Sequence, residues 1–278
     1  MSKVNLGSRA GGDLSGVDLF EMAEKSVFRI VTKYGILGQG HGTAFVYKQT
    51  LSESGSDLYL LTNLHNFDGP LGKYPLFVAE MQKGKPAEQL LSQVSIMIGD
   101  QQFEVDRIVA ARGALTSHAR KWIHDFAVCS IRTSIRDNLK LFAIPSGDEV
   151  RAGEVVFALG FPQDTDLGIT EGMVSHVYGA DDGKSEPGQY GDHEWQIQHS
   201  VLINKGNSGG PTVDKRGSVV GMSTWGDVRP GVTGINYSIN VARVFEILRS
   251  SEEIEEVNIA KIYSRLIDLA AEEARYGR

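Results

Sequence analysis

The chain has 278 residues, 41% hydrophobic and 23% charged, a composition of globular proteins rather than of disordered or fibrous ones. Its 28 Lys and Arg against 35 Asp and Glu give a net charge of −7 with no basic block or stripe, so nucleic-acid binding has no electrostatic footing. No run approaches the ~18 apolar residues of a membrane span, which argues against a membrane partner. A single cysteine, Cys129, excludes an intrachain disulfide. With no apolar signal-peptide core behind Lys3, a cytoplasmic location is the expectation, unless a leader has been removed.

In chain order, residues 1–16 are rich in Gly and Ser and read as a flexible N-terminus. Residues 17–25 form a short helix with Leu19, Phe20 and Ala23 on one side. Strands follow at 27–32, 43–47 and 58–63, the second entered through the Gly38-Gln39-Gly40-His41-Gly42 turn. Further β-type segments fall at 94–98, 103–109, 126–131, 155–159, 173–178, 196–199, 218–224 and 234–241, many of them separated by Gly, Asp or Pro. The 32 glycines fit a chain of short strands and tight turns, and such spacing predicts an all-β barrel or sandwich rather than βαβ units. Only the end reads as helix, from about 252 to 274, with Ile259, Ile262, Tyr263, Leu266 and Ala270 on one face. No internal repeat of 20–50 residues is present.

Ser208 lies in Gly206-Asn207-Ser208-Gly209-Gly210-Pro211. A serine hydroxyl needs a base, a group that orients the base, and donors for the oxyanion that forms. Bracketing glycines let successive N–H groups converge beside the hydroxyl, although a glycine-rich hairpin turn would read the same way. The motif also fits the nucleophile elbow of α/β-hydrolases, whose histidine follows the serine in the chain. The last histidine here is His199, so that fold is excluded by order.

Seven histidines precede Ser208. His65 stands just past the apolar strand Leu60-Leu61-Thr62-Asn63, a rigid mount for a base. His118, His124 and His193 lie in polar surroundings and read as loop residues, His41 as a turn residue, and His176 as part of a strand. His199, on a strand leading to the serine loop, is a second candidate for lining the cleft. For the orienting acid, Asp125 heads the apolar run Phe126-Ala127-Val128-Cys129, where an unpaired carboxylate would be costly. A strand-edge Asp facing water is the alternative. Asp68 falls in a Gly69-Pro70 turn and Asp106 alternates with polar residues. The segment Gly179-Ala180-Asp181-Asp182-Gly183-Lys184-Ser185 looks like a phosphate loop, but the required first glycine falls at Tyr178, so it reads as a surface loop.

Asn63-Leu64-His65, Asp125-Phe126-Ala127-Val128 and Ile203-Asn204-Lys205-Gly206-Asn207-Ser208-Gly209-Gly210-Pro211 resemble the triad segments of HtrA/Deg-type trypsin-like serine proteases, in the His, Asp, Ser order of the chymotrypsin superfamily. Gly40-His41-Gly42-Thr43-Ala44-Phe45, Ala158-Leu159-Gly160-Phe161-Pro162, Thr170-Glu171-Gly172-Met173-Val174-Ser175, Val219-Val220-Gly221-Met222 and Gly234-Ile235-Asn236-Tyr237-Ser238-Ile239 extend the likeness. The resemblance implies an all-β, chymotrypsin-like double six-stranded antiparallel β-barrel over 17–245, with a barrel boundary near 135–150 and a C-terminal helical extension over 246–278. It implies His65, Asp125 and Ser208 as catalytic residues, and the amides of Gly206 and Ser208 as the oxyanion hole. Thr224-Trp225-Gly226 would be the edge against which an extended polypeptide pairs, and Leu202 and Ile203 would help line the primary pocket. No acidic residue lies in Val201-Leu202-Ile203-Asn204, so the expected preference is for small or medium apolar side chains rather than Lys or Arg.

Two departures stand out. Sixty residues separate His65 from Asp125, which predicts an insertion between 69 and 122, and no length follows the terminal helix for the PDZ domain many such proteins carry. No metal or other cofactor is implied. Two other readings remain beside an active endopeptidase: a protease fold kept as a peptide-binding module, and a latent protease activated by a partner, or assembled as a homo-oligomer, through the C-terminal helix. Packing of that helix against the second barrel is the plainer expectation.

Overall fold

The computed structural model describes residues 3–6, 12–33, 38–67, 83, 93–115, 124–144, 150–178, 195–226, 234–258 and positions 261, 262, 264, 265 and 268. The 179–185 loop and most of the expected insertion lie outside the described residues.

Strand β1 (Lys3–Leu6) precedes helix α1 (Gly16–Ser26), which a capping box starts. The Ser15 side chain accepts from the Asp18 N–H while the Asp18 carboxylate accepts from the Ser15 N–H. Leu19, Met22 and Ala23 of α1 are buried, and Phe20 is half-buried. The chain passes straight into β2 (Val27–Lys33), β3 (Gln39–Ser52), β4 (Gly55–Thr62), β5 (Val94–Ile98), β6 (Gln101–Glu104), β7 (Arg107–Ala111) and β8 (Ala127–Thr133). A second group follows: β9 (Val155–Gly160), β10 (Gly168–Val177), β11 (Gln196–His199), β12 (Pro211–Asp214), β13 (Val219–Gly226) and β14 (Asn236–Asn240). Helix α2 (Val241–Arg249) and strand β15 (Ile254–Glu256) close the series.

All pairings between named strands are antiparallel. The second group closes into the expected six-stranded barrel, β10-β11-β14-β13-β12-β9. The first group forms a nine-stranded sheet, β15-β7-β8-β4-β3-β2-β5-β6, with β1 on the far end of β3. It curls as a half-barrel rather than a six-stranded closure. One continuous core links the two, with Phe45, Leu58, Leu60, Leu61, Phe67, Phe126 and Phe142 fully buried, and a smaller cluster around Val156, Val174, Ile197 and Val201 fills the second barrel. The strong drive to bury these side chains explains why each strand keeps its register: a one-residue slip would turn them to solvent.

Five features differ from the sequence reading. Gln39–Gly42, read as a turn that includes His41, begins β3 and pairs with Ile30–Lys33 of β2. Lys3–Leu6, read as flexible, pairs with Lys48–Leu51 of β3. The segment 103–109 is two strands, because Val105 N–H turns to Val94 O while Asp106 N–H turns to Ser130 O, changing partner strand within one residue. The segment 234–241 stops as a strand at Asn240, whose side chain accepts from the Ala242 N–H and caps α2. The helix placed from 252 begins later. Ile254–Glu256 instead extends the first sheet along β7, helped by a bond from Val257 N–H to Ile108 O. Helical residues resume at Lys261, whose N–H meets the Asn258 side chain. Of the predicted stripe, Ile262 is fully buried; Ile259, Tyr263 and Leu266 lie outside the described residues, as does Ala270.

Candidate active site

His65 sits in a 3₁₀ turn (Leu64–Phe67) at the end of β4. Buried Leu64 and Phe67 hold the turn at both ends and leave His65 and Asn66 directed toward the neighbouring segments. Asp125 lies at the centre of a three-residue turn closed by a bond from Phe126 N–H to His124 O at 2.6 Å, just before β8. Its carboxylate meets His65 twice: Oδ1 accepts the His65 backbone N–H at 2.9 Å, and Oδ2 lies 2.6 Å from Nδ1. An ionised carboxylate only accepts, so Nδ1 carries the proton, and in the neutral ring Nε2 is left as the basic nitrogen. The His65 side chain is 34% exposed and that of Asp125 18%, so the ring is the more open member of the pair.

Ser208 comes from the loop between β11 and β12. Its carbonyl accepts from Thr43 N–H at 2.8 Å and from Asn66 Nδ2 at 2.9 Å, which fastens the loop of the second barrel to the first sheet. Its hydroxyl donates to Thr224 O at 3.2 Å. Asn63 Nδ2 donates to Asp125 O (2.8 Å) and to Thr224 Oγ1 (3.2 Å), so one side chain joins the acid's segment to the strand beside the serine. Thr43 joins the same seam from the other side, with its hydroxyl donating to Gly206 O (2.7 Å) and accepting from Phe161 N–H (3.1 Å). Sequence reasoning assigned no role to Thr43, Asn63 or Asn66. For Thr43 and Asn63, both fully buried, the signal was a polar residue where the strand pattern called for an apolar one; half-buried Asn66, in the turn, carried none.

The loop's amides are arranged by one bond. Lys205 O accepts from Gln163 N–H at 2.6 Å, and across a trans peptide the Gly206 N–H then points the opposite way, away from Gln163. Gly206 has φ +99°, a conformation that glycine alone adopts without strain. Among the described residues, Asn207, Gly209 and Gly210 N–H donate to backbone carbonyls, whereas Gly206 and Ser208 N–H do not.

Thr224, Trp225 and Gly226 form the outer half of β13, partly exposed, with Trp225 stacked on Tyr237 (centroids 4.0 Å apart, 18° between planes). Ile203 packs against the inner cluster of the second barrel, while Leu202 projects into solvent at 62% exposure. A side chain on Gly226 would meet Asn236 Oδ1 at 2.5 Å, so the Asn236 amide already occupies the space beside that edge.

His199 does not reach the cleft. It is fully buried in the barrel, with Nε2 2.9 Å from Ser238 Oγ in a chain of hydroxyls that continues to Thr212. Burial pulls its pKa from 6.5 down to about 4. The unfolded chain therefore binds a proton that the folded chain refuses between these values. Stability is fully present above about pH 6.5 and falls as the pH drops toward about 4, by roughly 3 kcal/mol from this group. The stability of a His199→Gln variant should lack this component, so its midpoint of thermal unfolding should approach or overtake that of the parent between pH 7 and pH 4. A constant gap between the two proteins would contradict the assignment.

This antiparallel two-sheet scaffold, with the His65–Asp125 pair on one sheet and Ser208 on a loop of the other, is the layout of the serine peptidases. Within that class the chain belongs to the trypsin-like peptidase domain family, whose model matches residues 42–222. It is similar to serine endoprotease DegS of Haemophilus influenzae, with 30% identity over 128 residues, covering 45% of this chain and 35% of that protein. It is also similar to protease Do-like 5, chloroplastic, of Arabidopsis thaliana, at 31% over 146 residues, covering 49% and 43%. The chain thus spans less than half the length of these curated relatives. Solved structures share its fold: the HtrA-type protease AlgW with tripeptide superposes with a TM-score of 0.55 at 23% identity, covering 85% of this chain and 63% of that one. Deg5 gives 0.52 at 24%, covering 83% and 90%.

Proposed function

We propose that the chain is a serine endopeptidase that cleaves extended polypeptides through an acyl-enzyme, with Ser208 as nucleophile, His65 as general base and acid, and Asp125 as the orienting group. The observation that carries this reading is the two-point grip of Asp125 on His65, at 2.9 and 2.6 Å, which presents Nε2 as the base. The Ser208 hydroxyl bond to Thr224 O, at 3.2 Å, is long for an O–H···O contact and is readily exchanged for one to Nε2. Ser208 Oγ then attacks the scissile carbonyl carbon while His65 takes its proton. The oxyanion is received by the N–H groups of Gly206 and Ser208. On collapse, His65 returns the proton to the leaving amine, and a water molecule activated in the same way releases the acyl group.

The substrate strand pairs along the partly exposed Thr224–Gly226 edge of β13 by β-augmentation. With Ile203 at the inner wall and the Asn236 amide beside Gly226, the pocket suits small or medium apolar side chains. A fluorophosphonate probe should label the parent once per chain and leave Ser208→Ala unlabelled, and cleavage should fall after residues such as Ala or Val. A parent that takes up no label would leave the peptide-binding and latent readings, of which labelling only once a partner is added selects the latent one, and cutting dominated by Lys or Arg would overturn the pocket assignment.

A further inference from the structure

His124 and Trp195 are two of the three non-glycine residues described with positive φ, at 52° and 71°. For a tryptophan this is a genuine outlier, and such backbone persists only where the surroundings over-determine it. The two side chains determine each other: their rings stack with centroids 4.8 Å apart and 11° between planes. His124 immediately precedes Asp125, whereas Trp195 opens β11 in the second barrel, so the stack crosses the seam beside the acid.

Each side of the contact is anchored. Trp195 O accepts from Asn240 N–H at 2.7 Å, and the Trp195 ring packs on the main core. On the other side, His124 O accepts the Phe126 N–H that closes the turn around Asp125. Rotation of His124 would move this carbonyl, and with it the turn that aims the carboxylate. Beyond the turn, Asp125 O is held by Asn63 Nδ2, and β8 is locked between β4 and β7. Among the described residues, the segment is thus tied after Asp125 by the sheet and before it by the ring contact.

We infer that the His124–Trp195 stack is a positioning device that pins the residue before Asp125 to the second barrel and so sets the angle at which the carboxylate meets His65. It rests on the reading of these residues as a catalytic triad. The contact acts through Asp125, and through it the two barrels report their relative placement to the base.

The test separates ring from backbone. His124→Gly accepts φ 52° without a steric clash and removes only the ring, whereas His124→Phe keeps a flat ring. Trp195→Leu keeps apolar volume but no stacking face, and serves as a second probe of the same contact. The readouts are kcat and KM on a peptide substrate, the low-field proton resonance of His65 Nδ1–H, and the midpoint of thermal unfolding. His124→Gly should lose kcat by roughly 10- to 100-fold, the scale on which displaced catalytic groups slow turnover. Its KM should stay within about twofold, since substrate binding is untouched. Its low-field resonance should shift or broaden, and its unfolding midpoint should not fall. Trp195→Leu should follow it in kcat and resonance, and His124→Phe should restore both. A His124→Gly protein with the parent's resonance and kcat overturns the inference, as does a His124→Phe protein that loses as much as the glycine variant. If the parent takes up no fluorophosphonate while the resonance responds as described, the peptidase reading falls and the positioning role stands.

Discussion

Asp125→Asn should fold normally and lose kcat by about 10⁴-fold. The reason lies in the two-point contact. The His65 backbone N–H can only donate, so the atom 2.9 Å from it must be the amide oxygen of the new side chain. That choice places the amide NH₂ at the 2.6 Å position opposite Nδ1, where it donates to the ring. The proton is driven onto Nε2, which then points a donor at Ser208 and cannot accept its proton. Geometry survives while the tautomer is wrong. Steady-state kinetics should show the loss in kcat rather than KM, and the low-field Nδ1–H resonance should vanish. Because the variant keeps both hydrogen bonds in number, thermal stability should change little. A variant that retains more than a tenth of the parent's turnover would remove Asp125 from the orienting role.

The positions of His65 and Asp125 were legible because each stands at the edge of an apolar strand, where chain physics limits what a polar side chain can do. A carboxylate heading Phe126-Ala127-Val128 either faced water or found a donor, and the structure supplies two from His65. The serine loop was legible through its glycines. The residues that fasten the site were not. Thr43, Asn63 and Asn66 bond to segments far along the chain, so no local pattern names their partners: Asn66 reaches Ser208 O across 142 positions and Thr43 reaches Gly206 O across 163. A buried polar residue announces that it has a partner, but not which one.

The illegible parts of the fold share a cause. β15 has three residues, Ile-Glu-Glu, too few for an alternation to register, and its partner β7 lies far back in the chain. Its register is held by contacts invisible in sequence, including Arg107 with Glu256 at 2.8 Å and Arg112 Nε with Glu252 O at 2.7 Å. At Asn240 the apolar pattern runs unbroken from strand into helix, so periodicity alone could not find the cap. The His124–Trp195 stack rests on backbone that only tertiary contacts can stabilise, and polar neighbours made His124 look like a solvated loop residue.

Gly206→Ala should remove most activity, and Gly153→Ala isolates the reason. Both glycines have left-handed backbone, φ +99° and +92°, so both substitutions carry the same kind of strain, roughly 1–2 kcal/mol. At Gly153 a Cβ meets nothing within 4 Å, and strain is the whole effect. At Gly206 the Cβ would sit 2.1 Å from Phe161 O, closer than any real contact, and that atom is backbone that cannot swing aside. The loop itself must move. Since Lys205 O is held by Gln163 N–H on the same side, relief comes by rotating the peptide that aims the Gly206 N–H, and the oxyanion loses a donor. Loss of such a donor lowers kcat by about 10²–10³-fold. Gly206→Ala should therefore fall by that factor with KM nearly unchanged, while Gly153→Ala keeps full turnover. Equal losses in the two variants would mean that strain alone, and not the direction of the Gly206 amide, governs the site.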